Sequence, residues 1–428
     1  MLVEFSVANF RSINERQTFS MAAGSSAARR SQHAIETGNS FASHLLRSAC
    51  MFGPNAAGKT SLIQALSFFR RFVLHSSKSA SDGDVIAVVP FKVYEKNLHS
   101  PSDFEIIFIF DGALYQYGFS ADRVRVVEEW LFTRSNEKNS RMRTVFQRVF
   151  DAKADKYDWD ISEDLVKGER ETWKKATRPN SLFLSTAVQL NSESLLPPYR
   201  WFEHYLRVLS SPDRLDVNAT VQRANEHDGK SDILALLRSF DLPIVDFEAK
   251  EKELTLPDSA KNIFSKDFLE TLNSIERVTD YEVKTFHQAG NDVVSYDLKE
   301  ESDGTRVIFS LAGPLLDTTE NGFTLVVDEL HNSLHPLALR FLVELFHDPS
   351  VNISGAQLIF TSHDTVVMSR DFLHRDQIWF LDRSELEGTK LTPLSEFDVR
   401  EMQSFQRAYL GGKFGALPRI RRGQLGAK

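Results

Sequence analysis

Residues Gly53-Pro54-Asn55-Ala56-Ala57-Gly58-Lys59-Thr60 place two glycines, a lysine and a hydroxyl at fixed spacing. That spacing suits one chemistry, the cradling of a polyphosphate. The glycines let the backbone curl so that its N–H groups face the phosphates, and a following helix points its positive end at them. Gly53, Asn55, Ala56, Ala57, Gly58 and Ser61 are the expected wall of the cradle. Lys59 is expected to neutralise the β- and γ-phosphates catalytically, and the Thr60 hydroxyl to bind Mg²⁺. The run fits the Walker A pattern, with an apolar stretch before it (Ser48 to Phe52) and an amphipathic one after it (Lys59 to Leu74).

A second set of residues completes such a site. Phe323-Thr324-Leu325-Val326-Val327-Asp328-Glu329 is an apolar strand pattern ending in two acids. Asp328 is expected to hold the Mg²⁺ shell, and Glu329 to polarise the attacking water. Thr361-Ser362-His363-Asp364 ends the next apolar run, where His363 is positioned to hydrogen-bond a γ-phosphate; a lone histidine is otherwise more often structural. Glu301-Ser302-Asp303-Gly304-Thr305 is a Ser-x-Gly turn opening a helix. Ser302 and Gly304 form either an anion site or an ordinary helix cap.

These residues need a frame of alternating strands and helices. Leu2, Val3, Phe5, Val7 and Phe10 alternate like a strand, with Gln17 to Ala22 as a hairpin partner. Residues 23 to 44 read as a loop, as do residues 75 to 84. Strand patterns recur in FEIIFIF, ALYQYGF, VRVVEEWLF and TVFQRVF between residues 104 and 150. From about 160 to 275 the pattern is mostly helical and charged. Strands return at Tyr281 to Phe286 and Val293 to Leu298, and a helix starts near Gly304. Strand 323 to 327 precedes a helix, a strand (357 to 361), another helix and a strand (377 to 381). The reading is an α/β core split by a largely helical insert, with boundaries 1–155, 156–278 and 279–428.

Composition sets limits. Hydrophobic residues make up 42% and charged residues 26%, as in ordinary globular chains. Most of the 33 phenylalanines fall in strand or helix patterns and read as core. The formal net charge of −8 means that nucleic-acid binding is allowed but would need a local patch. Two basic stretches exist, Lys167, Arg170, Lys174, Lys175 and Arg178, and Arg419, Arg421, Arg422 and Lys428; the default for each is a solvated surface. The single Cys50 allows no internal disulfide and fits a reducing cytoplasm. No leader pattern and no membrane-length apolar run is read, so no membrane partner is expected.

The order of these motifs resembles the ABC-type ATPases of the SMC/RecF/OLD class. Asn9-Phe10-Arg11-Ser12 also looks like that class's N-terminal motif, whose Arg and Ser lie near the nucleotide. The finer resemblance is to prokaryotic RloA-like, AbiL-like defence ATPases. It rests on FSVANFRSI (5–13), FGPNAAGKTSLIQAL (52–66), YQYGF (115–119), SLFLSTAVQLN (181–191), DELHNSLHP (328–336) and YLGGKFGALP (409–418). The resemblance implies an ABC-type core, with a mixed sheet, flanking helices and an antiparallel β-lobe. It implies ATP and Mg²⁺ as cofactors, Arg11 and Ser12 beside the nucleotide, and Gln189 as the glutamine that senses Mg²⁺. It implies an ATP-sandwich homodimer or higher homo-oligomer, in which the Ser-x-Gly turn of one protomer covers the other's γ-phosphate. The implied role is the sensor or regulator of an anti-phage system with a separately encoded effector, often a nuclease. The chain ends about 65 residues past His363, short for a further catalytic domain of usual size. The alternative is a RecF-like DNA repair or chromosome-maintenance ATPase acting directly on DNA.

One departure concerns His331-Asn332-Ser333-Leu334-His335. Many relatives carry aspartate at the first of these positions and many ABC proteins at the last, so the subunit contact usually made there is expected to differ. His331 and His335 have the spacing of a helical zinc pair, but a zincin's third ligand and general base are missing.

Overall fold

The computed structural model describes all residues except 28, 80–82, 138, 139, 210–214, 253–279, 400, 401, 403 and 419–428. The basic tail residues Arg419, Arg421, Arg422 and Lys428 therefore lie outside the described residues, as does the end of the expected helical insert. The chain divides into two compact units, residues 1–210, 318–331 and 339–428, and residues 211–317 and 332–338.

The first unit begins with β1 (Leu2–Ala8), β2 (Gln17–Ser20), β3 (Ala34–Glu36), β4 (His44–Leu46), β5 (Ser48–Phe52) and α1 (Lys59–Ser79). A short α2 (Glu95–Leu98) leads into β6 (Ser102–Phe110), β7 (Ala113–Ala121), β8 (Val126–Arg134), β9 (Arg143–Asp151) and β10 (Lys156–Ile161). Then come α3 (Arg170–Ala176), α4 (Phe183–Gln189), α5 (Leu196–Arg200) and β11 (Leu206–Leu209). The second unit holds α6 (Asn218–Ala224), α7 (Gly229–Ser239), the antiparallel sheet β12 (Ile244–Lys252), β13 (Asp280–Ala289) and β14 (Asp292–Asp297), and most of α8 (Asp303–Asn321). Back in the first unit are β15 (Thr324–Val327), most of α9 (Pro336–His347), β16 (Gln357–Thr361), β17 (Ile378–Ser384), β18 (Gly388–Pro393) and α10 (Phe405–Leu410).

Two large sheets build the first unit. One is an antiparallel lobe in the order β10-β9-β8-β7-β6-β1-β2. The other runs β11-β15-β16-β5-β17-β18, parallel throughout except for the edge strand β18. Every residue of β5, β15 and β16 is buried, as central parallel strands require. The architecture is thus mixed α/β, as the sequence pattern predicts, with the antiparallel lobe that the resemblance implies.

Helix α1 carries the phenylalanines that join these layers. Phe68 meets Phe104 at 5.2 Å between ring centroids, and Phe69 meets Phe119 at 5.0 Å. The same core includes Met51, Val326 and Ile359 from the parallel sheet. Losing one such ring costs about 3–5 kcal/mol. So the Phe-rich composition is core packing, and its consequence is to fix the start of α1 against the end of β5.

A buried ion pair ties the lobe to α4. Arg148 Nε lies 2.9 Å from Glu129 Oε2, and both side chains are fully buried. Glu129 also accepts from Tyr117 Oη at 2.9 Å, Phe183 N at 2.7 Å and Leu184 N at 3.0 Å. Arg148 donates to the Ser181 carbonyl. The YQYGF and SLFLSTAVQLN stretches therefore meet around one carboxylate.

Several local expectations fail. Residues 75–79, read as loop, continue α1, because His75, Ser76 and Ser77 stay in register under α4 and Ser77 Oγ meets Ser185 Oγ at 2.8 Å. Residues 34–36 and 44–46, within the expected 23–44 loop and just past it, pair as β3 and β4. Residues 156–161 pair with β9 as a strand, although they alternate charge with aromatics and fall inside the expected insert. Ile244–Lys252 also form a strand, paired with β13.

Candidate nucleotide site

The parallel sheet sets the site's geometry. β16 lies between β5 and β15, so the chain segments after all three strands emerge at one edge of the sheet. Carboxyl ends of parallel strands are where ligands of α/β sheets bind. Lys59 follows β5, Asp328 and Glu329 follow β15, and His363 follows β16. Beyond the strands the backbones stay tied: Leu330 N donates to Thr361 O and Ser362 N to Met51 O, both at 3.1 Å.

The phosphate loop is held open by its own backbone. Ala56 and Gly58 take left-handed conformations (φ 65° and 104°). A side chain at Gly58 would put its Cβ 2.1 Å from Thr389 Oγ1, and one at Gly53 would meet the Leu381 carbonyl at 2.4 Å. Both glycines are thus required by close approach, not by motif membership alone. Lys59 is buried, and its ammonium donates to Gly53 O at 2.8 Å and Pro54 O at 3.2 Å. Burial lowers its pKa below the usual lysine range, while the charges of Glu329 and Asp328 oppose that shift. Asn55 and Thr60 are exposed, and Ser61 is half-buried.

Thr361 orients both acids. Its hydroxyl donates to Asp328 Oδ1 at 2.6 Å and accepts from Glu329 N at 2.7 Å. Glu329 sits at φ 53°, a conformation costly for a residue with a side chain and found where surrounding bonds enforce it. Thr361 carries no sequence signal beyond closing an apolar strand.

His363 and His331 meet edge to face, with ring centroids 5.6 Å apart. Burial, then the charge of Lys59, lowers the His363 pKa; burial also lowers that of His331. Both imidazoles are therefore neutral near pH 7. Residues 328–333 form turns and α9 begins only at Pro336, so the helical spacing invoked for His331 and His335 does not apply.

The N-terminal motif reaches the loop from behind. Ser12 Oγ donates to Ser61 Oγ at 2.8 Å, and Thr389 Oγ1 lies 2.8 Å from Ser12 Oγ and 2.9 Å from Ala57 O. Arg11 is exposed at φ 51°, with its N–H on Val89 O. Thr389 lies in β18, an edge strand that the sequence did not announce.

The remaining sequence candidates are Gln189, Ser302 and Gly304. Gln189 ends α4 with an exposed side chain. That helix is anchored at Ser76 and Ser77, about 25 Å along α1 from Thr60 at the helical rise. The structure therefore does not gather Gln189 with Thr60 and Asp328. Ser302 and Gly304 belong to the second unit, where Ser302 Oγ accepts from Thr305 N at 3.2 Å as the cap of α8. A Cβ on Gly304 would meet the Ser333 carbonyl at 2.9 Å.

The loop opens into a cleft of about 920 Å³, lined by Gly53 to Ala57, His363 and residues of the C-terminal segment. That volume suits a small-molecule ligand. The buried ammonium, the paired acids and the curled loop fit a magnesium-bound polyphosphate: Lys59 and the loop amides would take the phosphates, Thr60 and Asp328 the cation.

Fold and site together define a phosphate-loop nucleotide-binding protein. Residues 48–369 match the family described as "AAA domain, putative AbiEii toxin, Type IV TA system", and the chain belongs to that family. No curated protein matches it. Among solved structures it is similar to an Smc head bound to the C-winged helix domain of ScpA, at 12% identity and TM-score 0.40, covering 91% of this chain and 96% of that one. It is also similar to the recombination mediator protein RecF with ATPrS, at 12% identity and TM-score 0.29, covering 89% and 95%. Such slight likenesses add nothing to what the sheet order shows.

Proposed function

We propose that the protein is an ABC-type ATPase that binds and hydrolyses ATP as a nucleotide-gated homodimer, the regulatory subunit of an anti-phage defence system with a separately encoded effector. The observation that carries the ATPase reading is the convergence of Lys59, Asp328, Glu329 and His363 at the ends of three adjacent parallel strands. In this reading Lys59 leaves the Gly53 and Pro54 carbonyls to neutralise phosphate charge. Thr60 and Asp328 hold the cation, which when bound offsets charge on the phosphate oxygens. Glu329 takes the proton of the attacking water, and neutral His363 donates a hydrogen bond to the terminal phosphate. The fixed bonds of Thr361 spare the site reorganisation during that transfer.

Dimer gating rests on the resemblance to the SMC/RecF/OLD class and on the Ser302–Gly304 turn opening a helix. The defence role is supported by the family's description, which names an AbiEii toxin and a Type IV TA system. Among the described residues no helix is long and apolar enough to cross a membrane.

Calorimetry on Lys59→Ala tests the nucleotide reading: ATP binding should vanish, and intact binding refutes it. Co-purification with the product of the neighbouring gene tests the regulatory role. Strong, salt-sensitive stimulation of turnover by DNA in the isolated protein would replace that role with direct action on DNA.

A further inference from the structure

The segment YLGGKFGALP, residues 409–418, has no part in the phosphate chemistry, yet it lines the same cleft as the phosphate loop. Its shape is firmly set. Tyr409 and Phe414 both stack on Phe380, with centroids 5.4 Å and 5.0 Å away and planes within 13° and 17°. The Tyr409 hydroxyl donates to the Ala416 carbonyl at 2.9 Å. Gly412, Gly415 and Ala416 take left-handed conformations (φ 82°, 66° and 53°) that fold the segment back on itself. The aromatic rings thus spend their apolar surface inward, on β17.

What remains points outward. Leu410 is 60% exposed, and Leu410, Leu417 and Pro418 line the cleft across from the phosphate loop. One exposed leucine means little, but three apolar side chains of one turn that line a single hollow beside the phosphate loop form a surface suited to an apolar ligand face. Asp382, beside Gly415, adds a hydrogen-bond acceptor to the same cleft. A bare triphosphate has no apolar part to pack against these side chains; a nucleoside triphosphate carries a flat base that does.

We propose that residues 409–418 form the nucleobase wall of the site, with Leu410, Leu417 and Pro418 packing against the face of the base. The proposal rests on the nucleoside-triphosphate reading above and deepens it: the C-terminal segment converts a generic phosphate loop into a nucleoside-selective one. Since β17 carries both the stacked Phe380 and the Leu381 carbonyl pressed on Gly53, base contact and loop geometry share one strand.

The test compares MgATP with magnesium tripolyphosphate, which has the phosphates and no base. Leu410→Gln with Leu417→Gln removes the apolar wall without adding charge; Leu410 is exposed and Leu417 half-buried, so thermal melting of the variant checks that the fold is kept. Titration calorimetry should show ATP affinity falling roughly tenfold, with tripolyphosphate affinity unchanged. Tyr409→Phe, which loosens the turn but keeps the ring stack, should move ATP affinity in the same direction by less. Unchanged ATP affinity in the double variant, or equal loss for both ligands, overturns the base wall while leaving the phosphate site standing. If the wild-type chain binds neither ligand, the nucleotide reading itself falls and the wall with it.

Discussion

Thr389 and Ser12, 377 positions apart in the chain, lie hydroxyl to hydroxyl at 2.8 Å directly behind the phosphate loop. Ser12 passes the contact to Ser61 on α1, and Thr389 holds the Ala57 carbonyl. The loop is therefore clamped from both ends of the chain. A pre-shaped loop loses less freedom on binding, so the clamp contributes to affinity.

Thr389→Val keeps the shape of the residue and removes the hydroxyl. Each lost hydrogen bond is worth about 0.5–1.5 kcal/mol, so ATP affinity should fall roughly tenfold, with a shift of only a few degrees in Tm. Calorimetry and thermal melting check this; unchanged affinity would mean that the clamp is incidental.

The Glu129–Arg148 pair makes a prediction about stability. Glu129 is fully buried, and its carboxylate also receives the first two amides of α4. Removing one partner of a buried pair costs about 3–5 kcal/mol because the other charge is stranded. Glu129→Ala should therefore lose about that much in chemical denaturation, whereas alanine at exposed Glu163, whose ion pair with Arg170 is at the surface, should cost under about 1 kcal/mol. Equal costs would contradict the role assigned to Glu129.

Acid sensitivity should come from two buried histidines. Burial lowers the His347 pKa to about 3 and, with the charges of His374 and Arg30, that of His33 to about 4, from an ordinary 6.5. Both are neutral when folded and take up protons once unfolded. Their contribution is full above pH 6.5 and is lost as pH falls through about 4 and then 3. His347 Nε2 lies 2.8 Å from Ser48 Oγ at the start of the phosphate-loop strand. Melting curves from pH 7 down to pH 4 should fall steeply for the wild type and less steeply for His347→Gln. Parallel curves would refute this assignment.

Much of the site could be read directly because its chemistry is local. The loop from Gly53 to Thr60 and the acids ending β15 carry their meaning in adjacent residues, and the apolar runs around them define buried parallel strands. Thr361 and Thr389 could not be read that way. Their roles come from pairing between strands distant in sequence, and a threonine at a strand end looks ordinary. β10 and β18 escaped notice because edge strands alternate charge with apolar residues or carry glycine and proline. The expectation for Gln189 rests on its position in the resemblance alone, and the Ser76 and Ser77 bonds to its segment place that helix at the other end of α1. The function of the 409–418 stretch required its backbone turns, which no residue pattern states.

The dimer proposal can be separated from ATP binding. Ser302→Asp keeps a good cap for α8 but places a negative charge where the resemblance puts the partner's phosphate. Measured by light scattering in a Glu329→Gln background, this variant should bind ATP and stay monomeric, while Glu329→Gln alone should double in mass with ATP. Dimerisation of both would rule the Ser302 turn out of the interface.

The most direct test of the whole reading is the turnover of Glu329→Gln under saturating MgATP. The substitution keeps size and backbone, so ATP should bind with near wild-type affinity. Loss of the base should slow hydrolysis by a factor of about 10²–10⁴. Turnover at the wild-type rate would contradict the account and place the general base elsewhere.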